Sequence, residues 1–531
     1  MPIVRKTIVQ KGAMQTYNIY YESALTFHLL PMEEINRAKS VLIQIFTGNS
    51  SRTMIEKLIR ETRVFFPNAV IAGTTTAGEI SDQKLTNHKT LISITTFKKT
   101  RLASFSVDAV TPENSYEAGR ILAQKLVKKD TELLILYTEG LYVNADDFLE
   151  GVTEEAPGLT VCGGVAADNG KFFETFVLHD DKLLSRGAVG IALNGKHLNV
   201  QTGFMSDWEA VGPEMKITRA VKNRVYEING KNAADFYRYY LGEHFIEKLP
   251  ESGFEISLTF ERQGCSINRN AVALSSDGAL VFTGNVPEGS LCKFGYLDRN
   301  KIASESFCGM KMFDDTHIES FFIFSGMGRK KFLKEISAKQ VELFADAASV
   351  SGFFGYGEFV HKEGKNCLQN QSCSVIGLSE GKKSSETESV CMIFHDREGC
   401  EIQRALAHLV TTTNRELEEK EKQLKTLLSY LPAGVIYFDN DLQITLYNEM
   451  AINQLGIDEQ SEEAMDLNRL KEGWIVTLFK ETLLHNESIA GGALIETAEG
   501  KKHYLRIKTV PIEQDGKVIG AMALIQTEGK M

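Results

Sequence analysis

From about Glu401 to Leu431 the chain reads EIQRALAHLVTTTNRELEEKEKQLKTLLSYL, with no glycine and no proline. Val410, Leu417, Leu424 and Leu431 recur every seven residues, and the companion seam position reads Ala407, Asn414, Glu421 and Leu428. Glu, Lys, Arg and Gln fill the intervals, a composition that favours helix and water. The pattern predicts one long helix with a coiled-coil stripe. Asn414 would set register at a cost in stability, and Glu421 keeps the seam marginal. The alternative is a helix that lies on its own domain.

Upstream, buried-strand runs alternate with amphipathic stretches. VLIQIF (41–46), AVIAG (69–73), LLILY (133–137), LTVCGG (159–164) and FFIFSG (321–326) read as strands, with helices predicted at about 51–65, 113–128, 144–155 and 330–346. LISITTF (91–97) and LASFSV (102–107) read as a β-pair, and FFETFVL, AVGIAL and LNVQTGF as further strands. KITRAVKNRVYEINGKNAADFYRYYL predicts a hairpin, a turn at Asn229-Gly230 and a helix, and antiparallel strands follow over 256–298. IQIFTG, a helix, then GTTTAGEI (73–80) is echoed by FFIFSG, a helix, then GFFGYGEF (352–359). LLILYTEG, a helix, then VCGGVAADNG looks like a looser third copy, so a repeated β-α-β unit is expected. The polar stretch from Lys382 to Glu388 marks a domain edge. The last hundred or so residues give strand, a turn at 439–441, strand, a short helix, a mostly helical stretch from Asp466 to Asn486, then three strands joined by Glu499-Gly500 and Asp515-Gly516 turns. That order predicts a five-stranded antiparallel sheet with helices on one face. The fold class is therefore α/β and α+β, in several domains.

Length and charge narrow the function classes. A chain of 531 residues exceeds one core, and its 43% hydrophobic and 24% charged residues are ordinary for a globular protein. A net charge of −11 without clustered Lys and Arg argues against nucleic-acid binding. No apolar run reaches membrane-span length, and MPIVRKTIVQKGAMQ lacks a signal-peptide core, so a cytoplasmic protein with no membrane partner is expected. Eight cysteines without a C-x-x-C pair indicate neither a zinc site nor a disulfide framework; free thiols are expected.

The glycine-rich turns after buried strands are the best site candidates, because open α/β sheets bind ligands beyond the carboxyl ends of their strands. Gly73, Thr74, Thr75, Thr76, Gly163 and Gly164 offer backbone donors and hydroxyls. Arg329 is placed to meet a carboxylate, and Glu79 or Glu358 an ammonium; Tyr356 sits in the last of these turns. Such a set suits a free amino acid. Equally, the glycines could only permit tight turns, with Arg329 and Glu358 a structural ion pair. No phosphate loop or H-E-x-x-H is present. GLSEG (377–381) matches G-x-S-x-G, but KKSSETES (382–389) is a poor helix start with no apolar stripe, so Ser379 is read as part of a turn. Asp146-Asp147, as neighbours, do not converge for acid/base work. His408 reads as a surface residue; His485 and His503 could ligate haem but read as surface or satisfied polar groups, and no cofactor is expected. With no cysteine after Cys400, a flavin–thiol photoadduct in the C-terminal part is excluded.

GTTTAGEI, CGGVAADNG and AVGIALNG resemble the N-terminal half of the FIST sensory domain. GPEMKITRAVKNRVYEINGKNAADFY, GNVPEGS, FSGMGR and GFFGYGEF resemble its C-terminal half. LPAGVIYFDNDLQITLYNEMA and the closing hairpin are similar to a PAS domain. These resemblances imply a FIST N-terminal domain over 1–225, a FIST C-terminal domain over 226–383, a helical linker over 400–431 and a PAS domain over 428–527. They imply a non-enzymatic sensor that takes a small ligand, such as an amino acid. It would relay binding through a homodimer formed by the 400–431 helix, to a separate output protein or to residues beyond this sequence. A scaffold without a ligand, or an enzyme acting on an anionic small molecule, are the alternatives.

Overall fold

The computed structural model of the chain describes residues 13–82, 84–206, 208–262, 264–297, 313, 317–333, 335–380, 401–455, 466–467, 473–496, 502–514 and 517–528. The expected domain edge at 382–388 lies outside them. The chain divides into two compact units, Met1–His408 and Leu409–Met531.

The first unit is built three times from one plan. Repeat I runs β1 (Gln15–Tyr20), α1 (Met32–Asn36), β2 (Ser40–Thr47), α2 (Arg52–Phe65), β3 (Val70–Thr75), the hairpin β4 (Glu79–Ser81) to β5 (Lys84–Thr86), and β6 (Thr90–Phe97). Repeat II runs β7 (Arg101–Asp108), α3 (Ser115–Leu126), β8 (Thr131–Thr138), α4 (Ala145–Glu155), β9 (Val161–Val165), the hairpin β10 (Val177–His179) to β11 (Lys182–Leu184), and β12 (Gly187–Asn194). Repeat III opens with β13 (Asn199–Met205) and is interrupted by an inserted antiparallel subdomain. That insertion comprises β14 (Trp208–Val221), β15 (Arg224–Ile228), β16 (Lys231–Asn232), α5 (Ala233–Leu241), α6 (Glu243–Glu247), β17 (Ile256–Arg262), β18 (Cys265–Leu274), β19 (Leu280–Phe282) and β20 (Leu291–Leu297). Repeat III resumes with β21 (Ser320–Gly326), α7 (Met327–Leu333), α8 (Glu335–Ala347), β22 (Ser349–Gly355), the hairpin β23 (Gly357–Lys362) to β24 (Lys365–Gln369), and β25 (Cys373–Ser379).

Each repeat centres on one parallel pair, β2/β3, β8/β9 or β21/β22, joined by the helical crossover that parallel pairing requires. Each pair belongs to a six-stranded sheet, and the orders are β1-β6-β2-β3-β10-β11, β7-β12-β8-β9-β23-β24 and β13-β25-β21-β22-β4-β5. The last two strands of every sheet are thus borrowed. Repeat II lends its hairpin to repeat I, repeat III to repeat II, and repeat I to repeat III. The exchange closes a ring, so the expected duplicated unit is in fact triplicated and cyclic. Phe46, Tyr137, Phe324 and Phe353, from all three repeats, meet edge-on or tilted at 5.1–6.2 Å between ring centroids. They anchor the central core.

Two sequence expectations are corrected. Residues 91–97 and 102–107 do not pair with each other: β6 lies between β1 and β2, whereas β7 pairs with β12. The short link between them carries the chain from one sheet to the next. The Glu380 carboxylate fixes that link by accepting from the backbone N–H of Lys98 at 2.8 Å, Lys99 at 3.1 Å and Thr100 at 2.5 Å. The helix predicted at 330–346 falls on α7 and α8, which flank residue 334, itself outside the described residues. Ser379 belongs to β25 rather than a turn, is buried, and its hydroxyl accepts from Asn199. Cys162, Cys265, Cys292, Cys367 and Cys373 are free thiols.

The 401–430 segment is one continuous helix, α9 (Glu401–Tyr430). In the second unit β26 (Gly434–Asp439), β27 (Ile444–Tyr447), β28 (Ile489–Glu496), β29 (Lys502–Gln514) and β30 (Lys517–Glu528) form an antiparallel sheet of order β27-β26-β30-β29-β28. α10 (Glu449–Leu455) and α11 (Gly473–His485) share a single core with it through Ala451, Ile475 and Phe479. The five-stranded antiparallel sheet is as the element order predicted, and the expected Glu499-Gly500 and Asp515-Gly516 turns lie outside the described residues. His485 pairs with Glu481 at 3.0 Å on the α11 surface.

Candidate functional site

The three second strands of the parallel pairs carry five of the ten expected site residues, and their equivalence explains the glycines. Gly73, Gly163 and Gly352 face Ile45, Leu136 and Ile323 in the parallel registers. A Cβ at these glycines would lie 2.0, 1.9 and 1.7 Å from the carbonyl oxygens of those residues. Only glycine lets the paired strands approach so closely. At Gly164 a Cβ would lie 2.8 Å from the Gly357 carbonyl oxygen, which stands in the neighbouring β23. One step beyond the strands, three backbone bonds form a cycle. Ala77 N–H donates to the Phe354 carbonyl at 2.8 Å, Ala167 to Thr75 at 2.9 Å and Tyr356 to Val165 at 3.1 Å.

The threonines serve the same junction. The Thr74 hydroxyl donates to the Thr75 and Phe176 carbonyls, and Thr75 Oγ1 accepts from Phe176 N–H at 3.0 Å. Thr76 donates to Glu79, whose other oxygen accepts from Thr86 at 2.7 Å. Thr74–Thr76 and Glu79 are buried, and burial raises the Glu79 carboxyl pKa above its ordinary value. Lys330 of α7 reaches this hairpin and donates to the Ala77 carbonyl at 2.7 Å.

Arg329 and Glu358 are also sealed. Glu358 is fully buried and accepts from the Ser372 N–H at 3.2 Å and hydroxyl at 2.7 Å. Burial pushes its carboxyl up to about 8, against the opposing pull of Ser372 and the Arg329 and Arg269 charges. Arg329 is buried beside Ser325, Gln340 and Phe354, against a void of about 10 Å³, scarcely room for one water. The expected amino-acid clamp is therefore not presented on an open face. Of the ten expected site residues, only Tyr356 lines a cavity of ligand size.

That cavity has a volume of about 340 Å³ and lies where repeats II and III meet the inserted subdomain. Its wall is made by the 140–145 segment that enters α4, by Gly326–Gly328 at the β21–α7 junction, by Gly355 and Tyr356, by the Asn370-Gln371 turn, and by Asn270 and Thr283–Asn285 of the insertion. Tyr356 is held rigidly. Its ring stacks on Phe172 at 4.6 Å, its hydroxyl donates to the Asp168 carboxylate, and it accepts from Gly170 N–H at 3.1 Å. Behind the wall, Arg269 binds both oxygens of Asp146 at 2.9 and 3.0 Å and the Asn370 side chain at 3.0 Å. Asp146 also accepts from Asn285 N–H at 2.7 Å. This buried ion pair ties α4, the insertion and the 370–371 turn together around the cavity. Asp147 accepts from the Asn285 side chain at 2.7 Å and pairs with Lys222 at 2.9 Å, so Asn285 bonds to both of the adjacent aspartates.

The residues missed in the sequence include six uncharged amides: Asn144, Asn223, Asn270, Asn285, Asn370 and Gln371. LQNQS (368–372), between two strands, was the one visible signal. Among the described residues no group of three His, Cys, Asp or Glu side chains is placed to hold a metal ion. No helix of the described residues is long and apolar enough to cross a membrane.

Comparison with known proteins places these features. The FIST N domain model matches residues 41–231 and the FIST C domain model residues 233–361. No curated protein matches. Among solved structures, the PAS domain of a Colwellia psychrerythraea protein is similar at 15% identity, covering 20% of this chain and 95% of that one, with a TM-score of 0.18. The PAS domain of an HTR-like protein from Haloarcula marismortui is similar at 20% identity, with 22% and 99% covered and a TM-score of 0.18. The PAS domain of BvgS from Bordetella pertussis is similar at 13% identity, with 21% and 87% covered and a TM-score of 0.16. The chain belongs to the FIST sensory-domain family, with its N domain at 41–231 and its C domain at 233–361.

Proposed function

We propose that this protein is a signal-transduction sensor whose FIST unit binds a small molecule in the 340 Å³ cavity. The single observation that carries this reading is that cavity, which brings buried side-chain amides from separate segments to one space. A free amino acid is the ligand expected from the family resemblance. It would bring its own charges to a wall whose described lining residues carry none. Binding shifts an equilibrium only through different affinities for two states, so the ligand must change how the insertion sits on repeats II and III. Thermal-shift screening of the full chain against amino acids and small metabolites tests the reading. A compound that raises Tm, and loses the effect in Leu141→Trp, supports it; an undiminished effect in Leu141→Trp moves the site elsewhere.

The relay is proposed through α9. Val410, Leu417, Leu424 and Leu431 are between 40% and 54% exposed in the single chain, at the seven-residue spacing a second copy would cover. A homodimer along this helix would then pass the state to the C-terminal unit and on to a separate output protein. Leu417→Lys with Leu424→Lys should give monomers by light scattering. A wild type already monomeric at the working concentration removes the coil from the account. The filled interior at Thr74–Thr76 favours the scaffold reading for that one place, since its polar groups are bonded within the protein.

A further inference from the structure

Two buried amides face the cavity with atoms that no protein group satisfies. Gln371 is 4% exposed, and neither its Oε1 nor its Nε2 is hydrogen-bonded. Asn270 is fully buried, and its Nδ2 donates to the Gly253 carbonyl at 2.8 Å while its Oδ1 has no partner. Buried polar groups are normally paired, and a bare one calls for a reason such as a ligand. The backbone of Gln371 is also held in an uncommon conformation. Its φ of 56° is left-handed, which a side chain seldom adopts. Gly326 and Gly328 leave it room: a Cβ at Gly326 would lie 2.5 Å from its Cα, and one at Gly328 2.4 Å from its amide oxygen.

A primary amide offers one acceptor beside one donor. Its complement is an N–H beside a C=O in the same plane, which closes two parallel hydrogen bonds. Asn270 Oδ1 can accept a further N–H. An ionised ligand would lie here without a counter-charge on any described lining residue, and burying an unpaired charge is costly. We infer that this cavity takes an uncharged small molecule with a cis-amide edge, as in a lactam, a cyclic imide or a nucleobase, and that Gln371 reads that edge. The inference rests on the cavity being the sensor site.

Calorimetric titration of the full chain with uracil, 2-piperidone and cyclo(glycylglycine) tests it. Each is compared with its N-methylated counterpart, and glutamate and lysine serve as charged comparators. The expected result is binding of at least one of the three. N-methylation of that compound should weaken binding about tenfold or more, as should Gln371→Met, while Leu141→Trp should abolish it. Because the N-methylated compounds need no substitution, the test stands even if Gln371→Met folds poorly. Binding of glutamate or lysine alone, lost in Leu141→Trp, keeps the cavity as the sensor site and overturns the amide edge. Lactam binding that survives both N-methylation and Gln371→Met also overturns it. Lactam binding that survives Leu141→Trp overturns the cavity and the inference together. No binding of any of the three up to about 10 mM overturns the inference.

Discussion

At the residue scale, Glu358 shows what this interior does to a charge. Its carboxyl is fully buried and pushed from 4.5 to about 8. Between these values the folded chain keeps a proton that the unfolded chain has released. Stability attributable to this group is therefore intact below about pH 4.5 and falls as pH rises towards 8, with a slope approaching about 1.4 kcal/mol per pH unit. Glu79 and Glu139 are raised by burial as well, so they bend the curve in the same direction. Glu358→Gln keeps the shape and an oxygen that can accept from Ser372, but cannot ionise. Denaturant unfolding at pH 5, 6.5 and 8 should show a flatter profile for the variant than for the wild type. Parallel profiles would mean that Glu358 ionises as readily in the folded chain as outside it. The sequence named Glu358 as a site residue because it could not show burial. An acid after a glycine-rich turn reads the same whether it faces a ligand or a sealed interior. The cavity amides were hidden for the converse reason, since Asn and Gln in a turn are ordinarily solvated.

At the element scale, the periodicities were legible and the pairings were not. VLIQIF, LLILY and FFIFSG are buried strands as read, and α2 and α4 lie close to the predicted 51–65 and 144–155. A hydrophobic period reports what an element is, but says nothing of which strand it joins. The hairpins β4–β5, β10–β11 and β23–β24 each leave the sheet of the strand before them, although proximity in sequence argues for staying. The glycines mark where this happens, and their weight can be measured. Gly73→Ala, Gly163→Ala and Gly352→Ala would each push a methyl to within 2.0 Å or less of a neighbouring carbonyl oxygen. Each should cost several kcal/mol or prevent folding, because backbone of a central strand must move. Gly158→Ala is the comparator. Its φ is 76°, with nothing within 4 Å of the added Cβ, so its cost should stay near about 1 kcal/mol. Urea midpoints for the four variants check the ranking; equal, small losses would show that the parallel strands have room to separate.

At the scale of the whole molecule, the ring of exchanged hairpins makes the FIST unit indivisible. The matched N domain ends at residue 231, yet that point is no folding boundary. A fragment ending there lacks β22, against which β4 pairs through Glu79, Ile80 and Ser81. It also lacks β23, which covers the edge of β9. Two of the three bonds of the backbone cycle, Ala77 to Phe354 and Tyr356 to Val165, disappear with them. Phe324 and Phe353 are lost from the aromatic centre, leaving Phe46 and Tyr137 to face open space. Such a fragment exposes an apolar strand edge and an unfilled core, both of which promote association over folding. A fragment of residues 1–231 should therefore unfold without a cooperative transition and aggregate, while 1–380, with all three repeats closed, should melt in a single sharp step. Calorimetric scans of the two fragments decide the point. A sharp transition and dispersed amide resonances from 1–231 would mean that repeats I and II hold their shape without the third. The hairpins would then be a late embrace between finished domains rather than the closure on which each of them depends.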